Sequence, residues 1–260
     1  MAKEGYHPKI ASLLEEYWRG DEPGALVRYL SSNSNLPGPR ANLELLEDFS
    51  SELRSVCKAG PSKFWRLSVQ LTDATDEFVA MCGVRGVGQV GGCSDSYFAR
   101  AMTRLQSTAS DSRWRVREAV AMSVQGLITD RPETVGKLGD WVETGDWFVM
   151  RAAAAGIAEP RLLRNVEVAG AALALHRRIL ERLMASRDRK SEGLESLRKC
   201  LAYSLSVVVA ATPDEGFPFL RDLMVTKDAD VRRICRQNLK KNRLRSKFPL
   251  EVVRLEKLLA

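Results

Sequence analysis

Histidine is almost missing from this 260-residue sequence, which holds only His7 and His176. With so few imidazoles, no Ser–His or Cys–His nucleophile arrangement can be argued, and no zinc-finger ligand set can be assembled. Cysteine is scarce too. Cys57, Cys82, Cys93, Cys200 and Cys235 are odd in number, scattered and never spaced as CxxC, so they are expected to be small apolar core residues in a reducing compartment. No metal and no cofactor is expected. No apolar run approaches the roughly 18 residues a membrane-spanning helix needs, and Met1–Lys9 carry no hydrophobic signal region. No membrane contact is therefore expected, and the location expected is cytoplasmic. Strict apolar/polar alternation over strand lengths is almost absent, which argues against a β architecture. No paired carboxylates at a glycosidase-like spacing can be identified.

Hydrophobic residues make up 45% and charged residues 28% of the chain, a balance that suits a folded globular protein and not a disordered one. The formal net charge is +7, and its placement says more than its size. From Lys227 to Ala260 there are 11 Lys or Arg and 4 Asp or Glu, an excess of 7; the remaining residues hold 29 of each sign. The whole surplus lies in the C-terminal segment, the first place to look for an anionic partner.

Apolar residues recur at i, i+3, i+4 and i+7 along the chain, and breakers such as Pro23–Gly24, Pro37–Gly38–Pro39, Gly60–Pro61, Pro132, Pro160, Pro213 and Pro249 cut it into helices. Comparing the helices shows a repeat. One segment reads Asp111-Ser-Arg-Trp114-Arg-Val116-Arg117-Glu118, a second Asp146-Trp147-Phe-Val149-Met150-Arg151-Ala152, a third Asp228-Ala-Asp230-Val231-Arg232. Glu192-Gly-Leu194-Glu-Ser-Leu197-Arg198 is a weaker copy. Arg117, Arg151, Arg198 and Arg232 follow one another at steps of 34, 47 and 34, and Arg85 is a further candidate member. An acidic turn residue can cap the next helix, and the Arg can reach the acid of a neighbouring repeat.

These segments resemble HEAT repeats. The fold expected is all-α, a right-handed α-solenoid of about six HEAT-like helix pairs with capping helices, forming a single domain over 1–260. Residues 1–22 would be the N-terminal cap, 23–242 the six pairs and 243–260 a basic C-terminal cap. The pairs are placed at 24–31 with 40–58, 62–72 with 76–91, 94–108 with 113–128, 131–143 with 147–158, 165–186 with 192–210, and 213–225 with 229–242.

Gly86-Val-Gly88-Gln-Val-Gly91 matches GxGxxG, but a dinucleotide site needs a strand before the glycines, and this run sits in a helical pattern. Small residues for close helix approach are expected there instead. In the tail, Arg232, Arg236 and Arg243 share one side of the expected helix 229–242 and its continuation, Lys240, Lys241, Arg245 and Lys247 extend the patch, and such a stripe can neutralise phosphates. A solvated terminal repeat would carry the same charges. Arg40 and Asn42 either face the N-terminal mouth of a groove or belong to a structural turn.

Trp114 and Glu118 stand at i and i+4, on one helix face. Together with Arg151 on the next repeat and Tyr203 further on, they resemble a branch of the HEAT-like family, the alkylpurine DNA glycosylases of DNA alkylation repair. That resemblance implies DNA in a basic concave groove, Glu118 as a catalytic carboxylate stabilising positive charge as the glycosidic bond breaks, Trp114, Trp147 and Tyr203 as aromatic surfaces, and Arg151 on a phosphate. The sequence departs from the best-known subgroup in having Glu for Asp and Tyr as the third aromatic. Three functions are left open: non-catalytic binding of DNA or RNA through a basic concave or C-terminal surface, using Trp114, Arg117, Trp147, Arg151, Arg198, Tyr203, Arg232, Arg236, Lys240 and Arg243; base excision with Glu118; or a protein–protein scaffold or adaptor.

Overall fold

A computed structural model describes residues 5–258, so the expected caps 1–22 and 243–260 run at their outer ends beyond the described residues. Fifteen α-helices and no strands occur among these residues. The chain packs as two compact units, Met1–Arg131 and Pro132–Ala260.

The first unit holds α1 (His7–Gly20), α2 (Gly24–Ser32), α3 (Leu43–Cys57), α4 (Pro61–Thr72), α5 (Glu77–Cys93), α6 (Asp95–Thr108) and α7 (Trp114–Asp130). In α1 the buried residues are Ile10, Leu13, Leu14 and Tyr17, the i, i+3, i+4, i+7 stripe of a helix with one apolar face. Helix α5 is different. Every residue from Phe78 to Gly91 is buried, because α3, α4, α6 and α7 all pack on it. Its glycines make that possible. A Cβ on Gly83 would overlap the backbone of Leu71 and Thr72, and one on Gly88 would fall 2.8 Å from the Ser123 Cβ. The GxGxxG run therefore lies inside a helix and serves close helix crossing.

The second unit holds α8 (Thr134–Glu143), α9 (Trp147–Ile157), a 3₁₀ turn (Leu162–Arg164), α10 (Val166–Ala185), α11 (Glu192–Ala211), α12 (Pro213–Met224), α13 (Ala229–Leu239), α14 (Asn242–Arg245) and α15 (Pro249–Glu256). Proline opens α12 and α15, where its missing N–H costs nothing. The 47-residue step arises from the segment between α10 and α11. Arg189 there donates to Asp228 Oδ2 at 2.7 Å and to the Met184 carbonyl, and Arg198 pairs with Asp230 at 2.8 Å.

The repeated Asp behaves as expected in two copies. Asp146 accepts from the Phe148 and Val149 amides and Asp228 from those of Asp230 and Val231, each a cap of about 1 kcal/mol. Asp111 does not cap α7. Its carboxylate binds the backbone and guanidinium of Arg113, which hold it below the usual carboxylate range. Arg85 is no member of the Arg series: it lies deep in α5, nine residues after the capping Asp76, and its guanidinium is buried against Glu47 and the Met122 carbonyl.

Two further corrections concern the tail and the cysteines. The expected helix 229–242 stops at Leu239 and restarts at Asn242, so Arg243 does not continue the Arg232–Arg236 stripe. Cys57 and Cys93 are not separate core thiols. Their side chains meet, with Cα atoms 6.9 Å apart, because the last residues of α3 and α5 lie side by side. Cys82 and Cys235 carry free thiols; burial pushes the Cys235 thiol up to about 12 and Cys82 well above its ordinary value, which leaves both without nucleophilic character. No helix among the described residues is long and apolar enough to cross a membrane.

Candidate functional site

Two groups of the sequence-selected residues stand out, one in each unit. In the first unit, α7 begins with Trp114, whose indole is 53% exposed. A side chain of that size on a helix start normally ends in the core; here it borders a cavity of about 410 Å³. The cavity is lined by Pro39, Arg40, Leu43, Met81, Arg115, Glu118 and Met122 beside Trp114 itself, so most of its wall is apolar. Trp114 and Glu118, which the helical spacing puts on one face, both line this cavity. The opposite wall comes from the Pro37–Gly38–Pro39 turn and the start of α3, which helix periodicity alone does not locate. Arg40 lines the cavity, but Asn42 does not: it is buried, accepts from the Leu45 amide as the cap of α3, and donates to the Tyr6 hydroxyl and the Asn33 carbonyl.

Arg115 is the residue that sequence reasoning missed. Its guanidinium carbon lies 4.6 Å from the centre of the Trp114 ring. One Nη donates to Glu77 Oε2 at 3.0 Å, and the other reaches the carbonyls of Gly38 and Pro39 at 3.4 Å. One side chain thus ties α7 to α5 and to the turn that walls the cavity, while laying its charge over the tryptophan. Arg117 points the other way. It is buried and donates to the carbonyls of Asp111 and Ser112, closing the turn that precedes α7.

In the second unit, Trp147 and Arg151 lie on α9, both half-buried. Trp147 packs its Cβ against Gly193 at the start of α11. Arg198 is held by Asp230. Tyr203 lies on α11 between buried Ala202 and buried Ser204, yet is itself 50% exposed. Arg243 sits 4.5 Å and Lys241 5.6 Å from the centre of its ring. The end of α13 therefore does more than stop a helix. It swings residues 241 and 243 onto Tyr203. Arg233, Arg236, Lys240 and Lys247 are exposed, and no carboxylate among the described residues pairs with them; Arg232 is half-buried. The acids of the last helix are already taken, Glu256 by Arg245 and Glu251 by Arg254.

His176 belongs to neither group. It is fully buried, with Nδ1 against the Ala172 carbonyl at 2.8 Å and Nε2 against the Ser204 hydroxyl at 2.9 Å, and burial pushes its pKa down to about 4. No cluster of three or more metal-ligating side chains occurs among the described residues.

Helices paired in sequence, capped by turn acids and packed on small residues, define a HEAT-like all-α repeat fold. Among solved structures the chain is similar to AlkD2 from Streptococcus mutans, with a TM-score of 0.60 at 15% identity, over 84% of this chain and 97% of that one. At that identity the likeness is one of fold. Two engineered proteins of the Northeast Structural Genomics Consortium align with TM-scores of 0.30 and 0.34 at 16% and 15% identity, covering 84% and 89% of this chain and 96% and 67% of theirs, too low to bear on it. No protein-family model and no curated protein matches the sequence.

Proposed function

We propose that this chain is a HEAT-like repeat protein, working in the cytoplasm, that binds nucleic acid without catalysis through the basic surface of its C-terminal unit. The observation that carries the reading is the set of exposed cations Arg233, Arg236, Lys240 and Lys247, none with a carboxylate partner, next to an exposed tyrosine flanked by two more. The four acids of the tail, Asp228, Asp230, Glu251 and Glu256, are each paired with other arginines, so these cations are free to exchange their counterions for phosphates. Each phosphate neutralised contributes a slope of about −0.9 to log affinity against log salt on duplex DNA. Binding of a fluorescent duplex between about 50 and 300 mM salt should therefore weaken steeply, and Arg236→Ala with Lys240→Ala should make the slope shallower by roughly 2. No affinity at low salt, or affinity flat with salt, refutes the reading.

A second reading, release of an alkylated base, is favoured by the cavity that holds Trp114 and Glu118 together. Its volume suits a base rotated out of the stack. In it Glu118 stabilises the cation that develops as the glycosidic bond breaks, and the apolar wall strengthens that interaction by excluding water. Methylated DNA incubated with the wild type and with Glu118→Gln tests it: release by the wild type and a loss of 10²-fold or more, on the order of other single electrostatic groups, support it. No release by the wild type sinks it.

A further inference from the structure

Tyr203 has no packing reason to be where it is. Its helix neighbours are in the core, while Tyr203 itself is half exposed. Two cations from a different segment are set against that ring, and the mounting is rigid. Asn238, fully buried on α13, donates to the Leu201 carbonyl at 2.9 Å and accepts from the Ser206 amide at 2.8 Å, so it grips α11 on either side of residue 203. The Ser206 hydroxyl donates to the Tyr203 carbonyl at 2.8 Å. The segment carrying Lys241 and Arg243 leaves α13 directly after Asn238 and Leu239, and so its position over Tyr203 is fixed through the same clip.

We infer that Tyr203, Lys241 and Arg243 form a stacking seat for an unpaired nucleobase, so that this surface prefers single-stranded nucleic acid to duplex. The inference deepens the nucleic-acid reading above and depends on it. Phosphates alone require cations, and Arg236 and Lys240 supply those without any aromatic. An exposed ring gains nothing from an intact duplex, whose base faces are covered by one another. It gains stacking energy from a base that is already out of a helix, whatever its identity, because every base has a π face. The guanidinium of Arg243 beside the ring adds a second planar group for the base and a charge for the phosphate that follows it.

The test uses the full chain with fluorescein-labelled oligo(dT), oligo(U) and a duplex of equal length, at one salt concentration, with wild type, Tyr203→Phe and Tyr203→Ala. The wild type should bind a single strand several-fold more tightly than the duplex. Tyr203→Ala should lose roughly tenfold on the single strand and little on the duplex, and Tyr203→Phe, which keeps the ring, should retain wild-type affinity. Thermal midpoints of the variants equal to that of the wild type confirm that folding is not the cause. If oligo(dT) and oligo(U) both show the preference, the seat takes the base; if only one does, the sugar or the thymine methyl is read as well, and the seat still stands. Duplex bound as tightly as the single strands, or equal losses on all probes in Tyr203→Ala, overturns the stacking seat and leaves a phosphate-binding surface. No binding to any probe overturns the nucleic-acid reading itself.

Discussion

The buried histidine makes the second unit sensitive to acid in a way that can be calculated. His176 has its ordinary value near 6.5 when the chain is unfolded and about 4 when folded, chiefly because burial disfavours the imidazolium, with the Ala172 carbonyl opposing that in part. Above about pH 6.5 the ring is neutral in both states and contributes no pH dependence. As pH falls below that, the unfolded chain takes up a proton that the folded chain refuses, so stability is lost until the folded ring also titrates near 4. At 1.36 kcal/mol per unit, the loss from this one group is about 1.4 kcal/mol at pH 5.5 and about 2.6 kcal/mol at pH 4.5. The assay is urea unfolding from about pH 7.5 to 4.5 for the wild type and for His176→Gln, whose amide can still meet the Ser204 hydroxyl but does not titrate. Carboxylates change protonation over the same range in both proteins, so the difference between the two curves isolates the histidine. The gap should narrow by about 1.4 kcal/mol between pH 7.5 and 5.5. Parallel curves would falsify the assignment of a neutral, desolvated ring.

Three other perturbations follow from close contacts. Gly83→Ala places a methyl against the backbone of Leu71 and Thr72, which cannot swing aside as a side chain can, and should cost about 2 kcal/mol or more; an unchanged thermal midpoint refutes the crossing geometry. Asn238→Ala removes the buried hydrogen bonds to the Ser206 amide and the Leu201 carbonyl, and a loss of about 2 kcal/mol in denaturant unfolding is expected. Arg115→Ala should cost about 1 kcal/mol, and a double-mutant cycle with Glu77→Gln should return a coupling of similar size; strictly additive losses deny the link between α7 and α5.

The helix order was legible because its signals are local. A helix stands at each expected position, and the boundaries fall within a few residues of the proline and glycine breakers and of caps such as Asp146, Asp228 and Asn165. The failures share one cause, which is contact between residues distant in sequence. Nothing near Leu239 says that the helix must stop there; the chain turns so that residues 241 and 243 can lie on Tyr203. Cys57 and Cys93 carry no spacing motif, and only the packing of α3 beside α5 brings them together. Asp111 keeps the position of a cap but has a stronger partner in Arg113, two residues on, so the charge-assisted bond wins over the helix amides.

The same distinction favours binding over base release. Periodicity correctly put Trp114 and Glu118 on one face, yet the property that governs the chemistry of that face comes from Arg115 and a turn some 75 residues earlier. An aromatic surface attracts a cationic ligand only while it is free, and here a guanidinium of the chain itself lies 4.6 Å from the ring centre, anchored to Glu77. A positively charged base entering the cavity has to displace that group or accept its repulsion, which at about 4 Å is worth around 4 kcal/mol at an effective dielectric near 20. A neutral planar ligand does not meet that repulsion. At Tyr203 the flanking cations work in the opposite sense, since the phosphate attached to any stacked base is attracted by the charges that hold the ring. One arrangement, a cation on an aromatic face, thus opposes the ligand of the excision reading at the first site and favours the ligand of the binding reading at the second.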